Sequence, residues 1–274
     1  MSVSTLPDLT TSYAVPPEAV SAYARDGHVL LRGVATPGEA TAYGAVVREA
    51  VQQLGGDPRP LAERDTYGRA FLQVTNLWRH DQDVARFVLA ARFAGIAAQL
   101  LGVDAVRLYH DQALFKEPAG GITPWHQDAM YWPLDGHRCL TMWMPLVAID
   151  SDMGTLGFAS GTNDIGPLSD ERISDASEAH FDMLLARGHH PLPAPAPQMA
   201  PGDATFHGGW TVHRASPNTG ARMREVMTVI WFADGLTVRE PANPAQASDL
   251  TSWLPGVRPG QPAASELNPR IGRG

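Results

Sequence analysis

The dominant hydrophobic period of this chain changes near residue 104, from mostly helical to mostly strand-like, and that change constrains the fold more than any other feature. Before it, apolar residues recur at helical spacing. Val20, Tyr23 and Ala24 follow Pro16 and Pro17 and stop at Gly27. TPGEATAYGAVVREAVQQLGG opens with Thr36 as N-cap and Pro37 in the first turn, and closes on Gly55. DVARFVLAARFAGIAAQLLG reads as a second strong helix ended by Gly102. HVLLRGV, 28–34, reads as a strand, residues 55–70 as polar turns, and FLQVTNLW as extended chain. After the change, AVRLYHDQALFKE, CLTMWMPLVAI, DATFHGGWTVH and REVMTVIWFA are β-rich runs parted by Gly and Pro clusters. One further helix, around SEAHFDMLLARG, interrupts them as an insertion at about 164–198. Helices first and strands afterwards predict an α+β chain with a mainly β core: an antiparallel barrel or jelly roll with the N-terminal helices packed on one face, not alternating βαβ units.

The chain has 274 residues, 44% of them hydrophobic and 18% charged, enough for one large core. A single domain over 1–274 is expected, with about 1–15 and 256–274 poorly anchored because Pro, Gly and polar residues dominate there. A formal charge of −8 offers no basic field for a phosphate backbone, so nucleic acid is not an expected partner, and any anionic cofactor needs a local cation. Cys139 is the one cysteine; it excludes an internal disulfide, fits a reducing compartment and reads as a small buried hydrophobe. The N-terminal residues lack a cationic stretch followed by an apolar run, and no later stretch approaches the roughly 18 to 20 apolar residues of a membrane span. A soluble cytoplasmic protein without a membrane partner is the expectation; no pattern speaks to oligomeric state.

The sharpest local signal is TPWHQDAMYWP, where His126 and Asp128 stand two apart after the turn residues Gly120, Gly121 and Pro124. In extended backbone, residues i and i+2 point to one side, so an imidazole and a carboxylate can share a cation. A second histidine would complete the facial triad that leaves adjacent positions of iron(II) open. His180 and Asp182 repeat the spacing, but on a helix they lie about 200° apart and cannot chelate one ion, so they read as surface residues. The third ligand must come from a distant strand, with His207 and His213 as candidates. Arg224 opens a run that can pair beside the strand of His213, and a guanidinium bonds both oxygens of a carboxylate.

Taken in order, RDGHVLLRGVATPGEA, LFKEP, WHQD, CLTMWMPLVAIDSDMGTLGFASGTN and PGDATFHGGWTVHRASPNTGARMR resemble the phytanoyl-CoA dioxygenase-like branch of the iron(II)/2-oxoglutarate oxygenases over most of the chain. The family pattern sets the distal ligand eleven positions before the co-substrate arginine, which selects His213 with Arg224, and it places an asparagine five positions after that histidine, here Asn218. The resemblance implies a single oxygenase domain with a double-stranded β-helix core, cupin-like, in which His126, Asp128 and His213 hold iron(II). It implies that Arg224 binds the far carboxylate of 2-oxoglutarate, with Thr141 as a hydroxyl donor to it and Trp143, Gln112 and Lys116 lining its pocket. The implied chemistry consumes O2, converts 2-oxoglutarate to succinate and carbon dioxide, and attacks an unactivated C–H bond. Hydroxylation is the expected outcome, with cyclisation, epimerisation and desaturation as diversions of the same chemistry; Asp128 stands where related halogenases carry a small residue, which disfavours chlorination. Two positions depart from the pattern: Ala215 replaces a common serine, with Ser216 expected on the other strand face, and Asn163 stands where histidine is common.

On the substrate side Trp78, Tyr131, Trp132 and Trp210 are candidates for a mostly apolar pocket. No long basic cluster marks a coenzyme A phosphate site, so a small or medium organic substrate, a specialised metabolite, is expected. The segments at about 55–70 and 164–198 are lid candidates. A non-redox cupin-like metal-binding protein and a zinc hydrolase or isomerase on the same ligands are the competing readings.

Overall fold

The computed structural model describes residues 6–188 and 197–272. The helices are α1 (Pro17–Asp26), α2 (Pro37–Leu54), α3 (Thr66–Ala70), α4 (Gln82–Val88), α5 (Ala91–Leu101), α6 (Asp175–Gly188) and α7 (Pro244–Trp253). The strands are β1 (His28–Leu31), β2 (Leu72–Thr75), β3 (Ala105–Phe115), β4 (Thr123–His126), β5 (Leu134–Asp135), β6 (Cys139–Pro145), β7 (Leu156–Phe158), β8 (Ala204–Gly208), β9 (His213–Ala215), β10 (Val226–Ala233), β11 (Thr237–Val238) and β12 (Arg270–Gly272).

Local signals act where the sequence places them. Thr36 caps α2 with a full capping box: its side chain accepts from the Glu39 amide while the Glu39 carboxylate accepts from the Thr36 amide. Gly27 ends α1 at φ 79°, in the left-handed region that suits glycine. The long helix expected over 83–101 is broken at Leu89 and Ala90, and Ala90 leaves helical geometry at ψ 124°. No Pro or Gly marks that break; it allows Phe87 of α4 and Phe93 of α5 to pack edge-on at 4.9 Å within one core. By mean hydropathy, 1.5, the stretch Gln82–Leu101 is as apolar as a membrane span, and 61% of the window is buried inside the fold.

Two antiparallel sheets form the jelly roll. The larger runs β1-β8-β6-β10-β3-β12, with β2 also on β3, and the smaller runs β4-β9-β7. Register makes the larger sheet two-faced. Val29, Phe206, Met142 and Val229 stand opposite one another across β1, β8, β6 and β10, and they join Tyr43, Val47, Phe87, Phe93 and Ile96 of the helices in the main core. One residue along, His28, His207, Thr141, Ile230 and His110 form the next cross-strand row, followed two residues on by Thr205, Trp143, Thr228 and Gln112. The period of two directs these rows away from the helices, toward the smaller sheet.

The ends are tied down, contrary to the expectation from composition. Tyr43 donates its hydroxyl proton to Pro7 O, the Gln99 amide side chain bonds Tyr13 O and the Val15 amide, and Leu9 is buried. At the other end β12 pairs with β3, and buried Asn268 donates to Leu108 O and Trp253 O. Backbone groups closed off from water need partners, and these polar side chains supply them. Within the insertion α6 lies on β4, where Glu178 accepts from the Trp125 amide at 2.7 Å and exposed Asp182 from the Trp125 indole at 3.1 Å; His180 is half-buried. Residues 189–196 of the insertion, and the outermost 1–5 and 273–274, lie outside the described residues. Cys139 is buried, and burial pushes its thiol up to about 12.

Candidate metal centre and active site

His126 ends β4, His213 opens β9, and the two face each other in register across that pair, ring centroids 4.1 Å apart. Gln127 stays extended at φ −122°, ψ 123°, so Asp128 returns to the side of His126 before the chain turns into a short 3-10 segment. One ligand atom from each of His126, Asp128 and His213 lies within 4.8 Å of the others. Nδ1 of His126 donates to Pro124 O at 2.7 Å and Nδ1 of His213 to Thr211 O at 2.9 Å; because a carbonyl only accepts, both Nε2 lone pairs are left free to bind metal. Burial, reinforced by His213 beside one ring and His207 beside the other, brings both imidazoles down to about 4, so both are neutral near pH 7. Burial would raise the Asp128 carboxyl, but His213, His207 and His126 outweigh it and hold the group far below the usual range. Two neutral imidazoles and one carboxylate, with space on one side, suit iron(II).

Arg224 and Lys116 give the second part of the site. The two strands expected to pair do not: β10, which follows Arg224, belongs to the larger sheet and β9 to the smaller, so arginine and triad approach one cavity from its two walls. Arg224 is 1% exposed, and its guanidinium lies over the Trp143 ring at 5.4 Å and donates to Gly154 O. Gly154 has φ 76°, and a Cβ there would stand 2.6 Å from Ser216 O and 2.7 Å from Lys116 Cδ, which ties this carbonyl's position to glycine. Lys116 bridges Arg224 through the backbone, and its Nζ donates to Gly121 O. Among the described residues neither side chain has a carboxylate partner, and Arg224 Nε has no hydrogen-bond partner. Burial lowers Arg224 to about 9; burial, with Arg224 adjacent, lowers Lys116 to about 6. A buried unpaired guanidinium is costly, and a carboxylate arriving from solution would relieve it. The residues therefore fit both iron(II) and a dicarboxylate.

The cavity between the sheets measures about 700 Å³ and takes in His126, Asp128, His213, Thr141, Trp143, Gln112 and Arg224. Several residues differ from expectation. The Thr141 hydroxyl donates to Asp128 Oδ2 at 2.8 Å, so it orients the ligand carboxylate and is not free for a co-substrate. Lys116 sits behind the wall, next to Thr123 Oγ1 at 3.4 Å, and does not line the cavity. Trp78 packs against the helical core with its indole on Asn76 Oδ1, and Trp210 is buried in a separate apolar cluster around Tyr109 and Trp132; neither reaches the cavity. Tyr131 and Trp132 do line it. Ala215 faces the cavity and Ser216 is exposed on the opposite strand face. Asn218 clamps the loop before Arg224 by donating to Lys116 O and Arg222 O.

His207, set aside as a ligand, lies beside the triad. Its Nε2 is 3.3 Å from Asp128 Oδ2 without the alignment of a hydrogen bond, and its ring centroid is 4.3 Å from that of His213. Sequence reasoning passed over His110, Asp249 and Trp253, which also line the cavity. Strand parity held a signal for one of them, since His110 stands two before Gln112 and shares its face.

The comparisons agree with this geometry. No curated protein matches the sequence. Among solved structures, SnoK, a non-heme alpha ketoglutarate dependent carbocyclase from nogalamycin biosynthesis, is 25% identical over 94% of this chain and 96% of that one, with a TM-score of 0.75. The epimerase SnoN, in complex with Fe3+, alpha ketoglutarate and nogalamycin RO, is 24% identical over 93% and 97%, with a TM-score of 0.74. EctD from S. alaskensis, with 2-oxoglutarate and 5-hydroxyectoine, shares the fold at 19% identity over 96% and 91%, TM-score 0.64. The family described as phytanoyl-CoA dioxygenase (PhyH) matches residues 23–226, which reach from α1 to the start of β10 and include the triad and Arg224. The chain belongs to that family, and it is a non-haem iron, 2-oxoglutarate-dependent enzyme of the dioxygenase type.

Proposed function

We propose that this enzyme couples decarboxylation of 2-oxoglutarate, with O2, to hydroxylation of an unactivated C–H bond in a small or medium organic substrate of specialised metabolism. The observation that carries the reading is the sharing of one cavity by a three-ligand His–Asp–His set and a buried arginine that lacks an anion. A simple metal binder has no use for such an arginine. When bound, iron(II) would activate O2, which is the oxidant; of its four electrons two come from 2-oxoglutarate as it loses carbon dioxide and two from the substrate C–H bond.

The protein's own residues do the rest. His126, Asp128 and His213 hold the metal on one side only, Thr141 fixes the Asp128 carboxylate, and the carbonyls of Pro124 and Thr211 fix the imidazole orientations. Arg224 takes the far carboxylate of 2-oxoglutarate through its free Nε edge, with Trp143 stacked against the guanidinium and Gln112 beside it on the cavity wall. Lys116 supports this cradle from behind by holding Gly121 O. Leu156, Ile230 and Trp132 line the cavity with apolar surface, which excludes water from the space where substrate must lie.

A second reading keeps the same ligands and redirects the oxidised substrate to ring closure, epimerisation or desaturation. The likeness to a carbocyclase and an epimerase over more than nine-tenths of the chain favours it. Anaerobic titration with iron(II) and 2-oxoglutarate tests what both readings share. A weak visible charge-transfer band is expected, absent in His213→Ala and weakened in Arg224→Ala. Iron binding without any band would return the chain to a non-redox metal-binding protein.

A further inference from the structure

The cavity extends past the metal and the arginine to an end that the mechanism above does not use. Across the larger sheet His110 and Thr141 flank Ile230 in register, so His110 lies two strand spacings, roughly 10 Å, from the residue that orients Asp128. The β3–β10 ladder is bulged here: Ile230 opposes His110 while Trp231 opposes Leu108, which leaves Tyr109 as an extra residue. The bulge brings the Tyr109 and His110 rings within 5.2 Å of each other. It also lets Tyr109 reach α7, where its hydroxyl donates to Asp249 Oδ2 at 3.0 Å.

Three side chains converge at this end. His110 is 6% exposed, lines the cavity, and its Nδ1 has no hydrogen-bond partner. The His110 ring lies against Trp253 at 4.7 Å and 37°, so one tryptophan face closes the wall. Asp249 lines the cavity half-buried and has no cation within ion-pair distance among the described residues. Arg172, the one cation lining this end among the described residues, forms no ion pair with it. Burial raises the Asp249 carboxyl to about 7 against the hydrogen bonds of Tyr109 and Trp253 and the charge of Arg172, and burial lowers His110 to about 4, so a carboxyl group with no ion-pair partner among the described residues stands beside a neutral ring. The His110 nitrogen is the buried polar atom of this group that the protein leaves without a partner, and a ligand donor can supply one.

We propose that Asp249, His110 and Trp253 form a recognition subsite for a protonated amine carried on a ring of the substrate, at the end of the cavity two strand spacings across the sheet from Thr141. The carboxylate supplies the charge, the His110 nitrogen supplies a further acceptor, and the indole packs against the ring and draws the cation electrostatically. The inference rests on the proposed function, since it names the substrate of the same cavity.

The test is equilibrium dialysis of the full-length protein with three ring probes, cyclohexylammonium, cyclohexanol and cyclohexanecarboxylate, carried out under nitrogen with iron(II) and 2-oxoglutarate and again on metal-free protein. Wild type is expected to hold the ammonium about tenfold more tightly than the other two, the scale of a charge-assisted hydrogen bond. Asp249→Asn, which keeps the shape and can still bond Tyr109, is expected to remove the preference; His110→Phe, which keeps the stacking on Trp253, should weaken ammonium binding several-fold. Equal binding of the alcohol and the ammonium in wild type would overturn the proposal in favour of a neutral hydroxylated ring, and an undiminished preference in Asp249→Asn would overturn the subsite itself. The charge-transfer band is recorded on the same samples. Its absence in wild type would sink the proposed function, while the probe preference on metal-free protein still decides the subsite.

Discussion

The two faces of the larger sheet are built from the same strands and have opposite chemistry. On the helix side Val29, Phe206, Met142 and Val229 are buried among helical side chains. On the cavity side the next residues along are His207, Thr141, Ile230 and His110, then Thr205, Trp143, Thr228 and Gln112. Most of the buried polar atoms without partners among the described residues are on this second side or beside it, His110 Nδ1, Thr205 Oγ1, both His207 nitrogens and Arg224 Nε; Trp231 Nε1 is on the helix side, and Asn163 Oδ1 and Arg239 Nε lie outside the sheet. A period of two lets one strand carry cohesion on one face and unsatisfied polar chemistry on the other, so stability and function can be changed separately.

The sharpest break of that comparison is His213→Ala. Iron should be lost from purified protein and succinate release should fall at least about a hundredfold, more than removal of an outer-shell partner costs, while the thermal midpoint of the metal-free protein stays close to wild type. Phe206→Ala, on β8 of the larger sheet and facing the helices, should do the reverse. Urea denaturation should show a loss of about 3–5 kcal/mol, with turnover per folded molecule retained; normal stability in that variant would show that the helix face does not carry the cohesion. Arg224→Ala should leave iron binding in place and raise the KM for 2-oxoglutarate by about two orders of magnitude, as expected for a charge-assisted clamp. Thr141→Val frees Asp128 Oδ2 without emptying its space, and iron affinity should drop about 10–100-fold with little change in the 2-oxoglutarate KM. If the KM moves instead, Thr141 serves the co-substrate after all.

The smallest effect is a slope. Burial depresses Lys116 to about 6 in the folded protein, against an ordinary lysine value near 10.5 when unfolded. Between those values the unfolded chain binds the extra proton, so this residue makes stability rise with pH from about 6 toward 10.5. Lys116→Met should remove that contribution, up to about 1.4 kcal/mol per pH unit, when urea midpoints are compared at pH 7, 8 and 9.

How much was legible follows the range of the interactions. Thr36, Gly27 and the period change near 104 act over a few residues and were readable directly. His126 and Asp128 were readable because extended backbone alone puts them on one side. Trp78 and Trp210 were not, because an aromatic near a motif in sequence has equal claim to core and cavity until the sheets are packed. Thr141 was expected to donate to the co-substrate carboxylate, but the oxygen its hydroxyl meets here is that of Asp128, which depends on how far Asp128 reaches across. The helix break at Leu89 and Ala90 carries no local signal and follows from packing Phe87 against Phe93.

By itself the sequence determined the class of core, the direction of each strand's faces and the ligand types, since these depend on hydrophobic period, turn chemistry and donor chemistry within short spans. Only the tertiary structure decided that β9 and β10 stand in different sheets, so that His213 and Arg224 face one cavity from two walls, and that His207, His110 and Asp249 join it. The physical reason is that pairing between distant strands is fixed by the burial of the whole helix-side face at once. No single segment contains that energy, and the cavity face takes whatever register the buried face imposes.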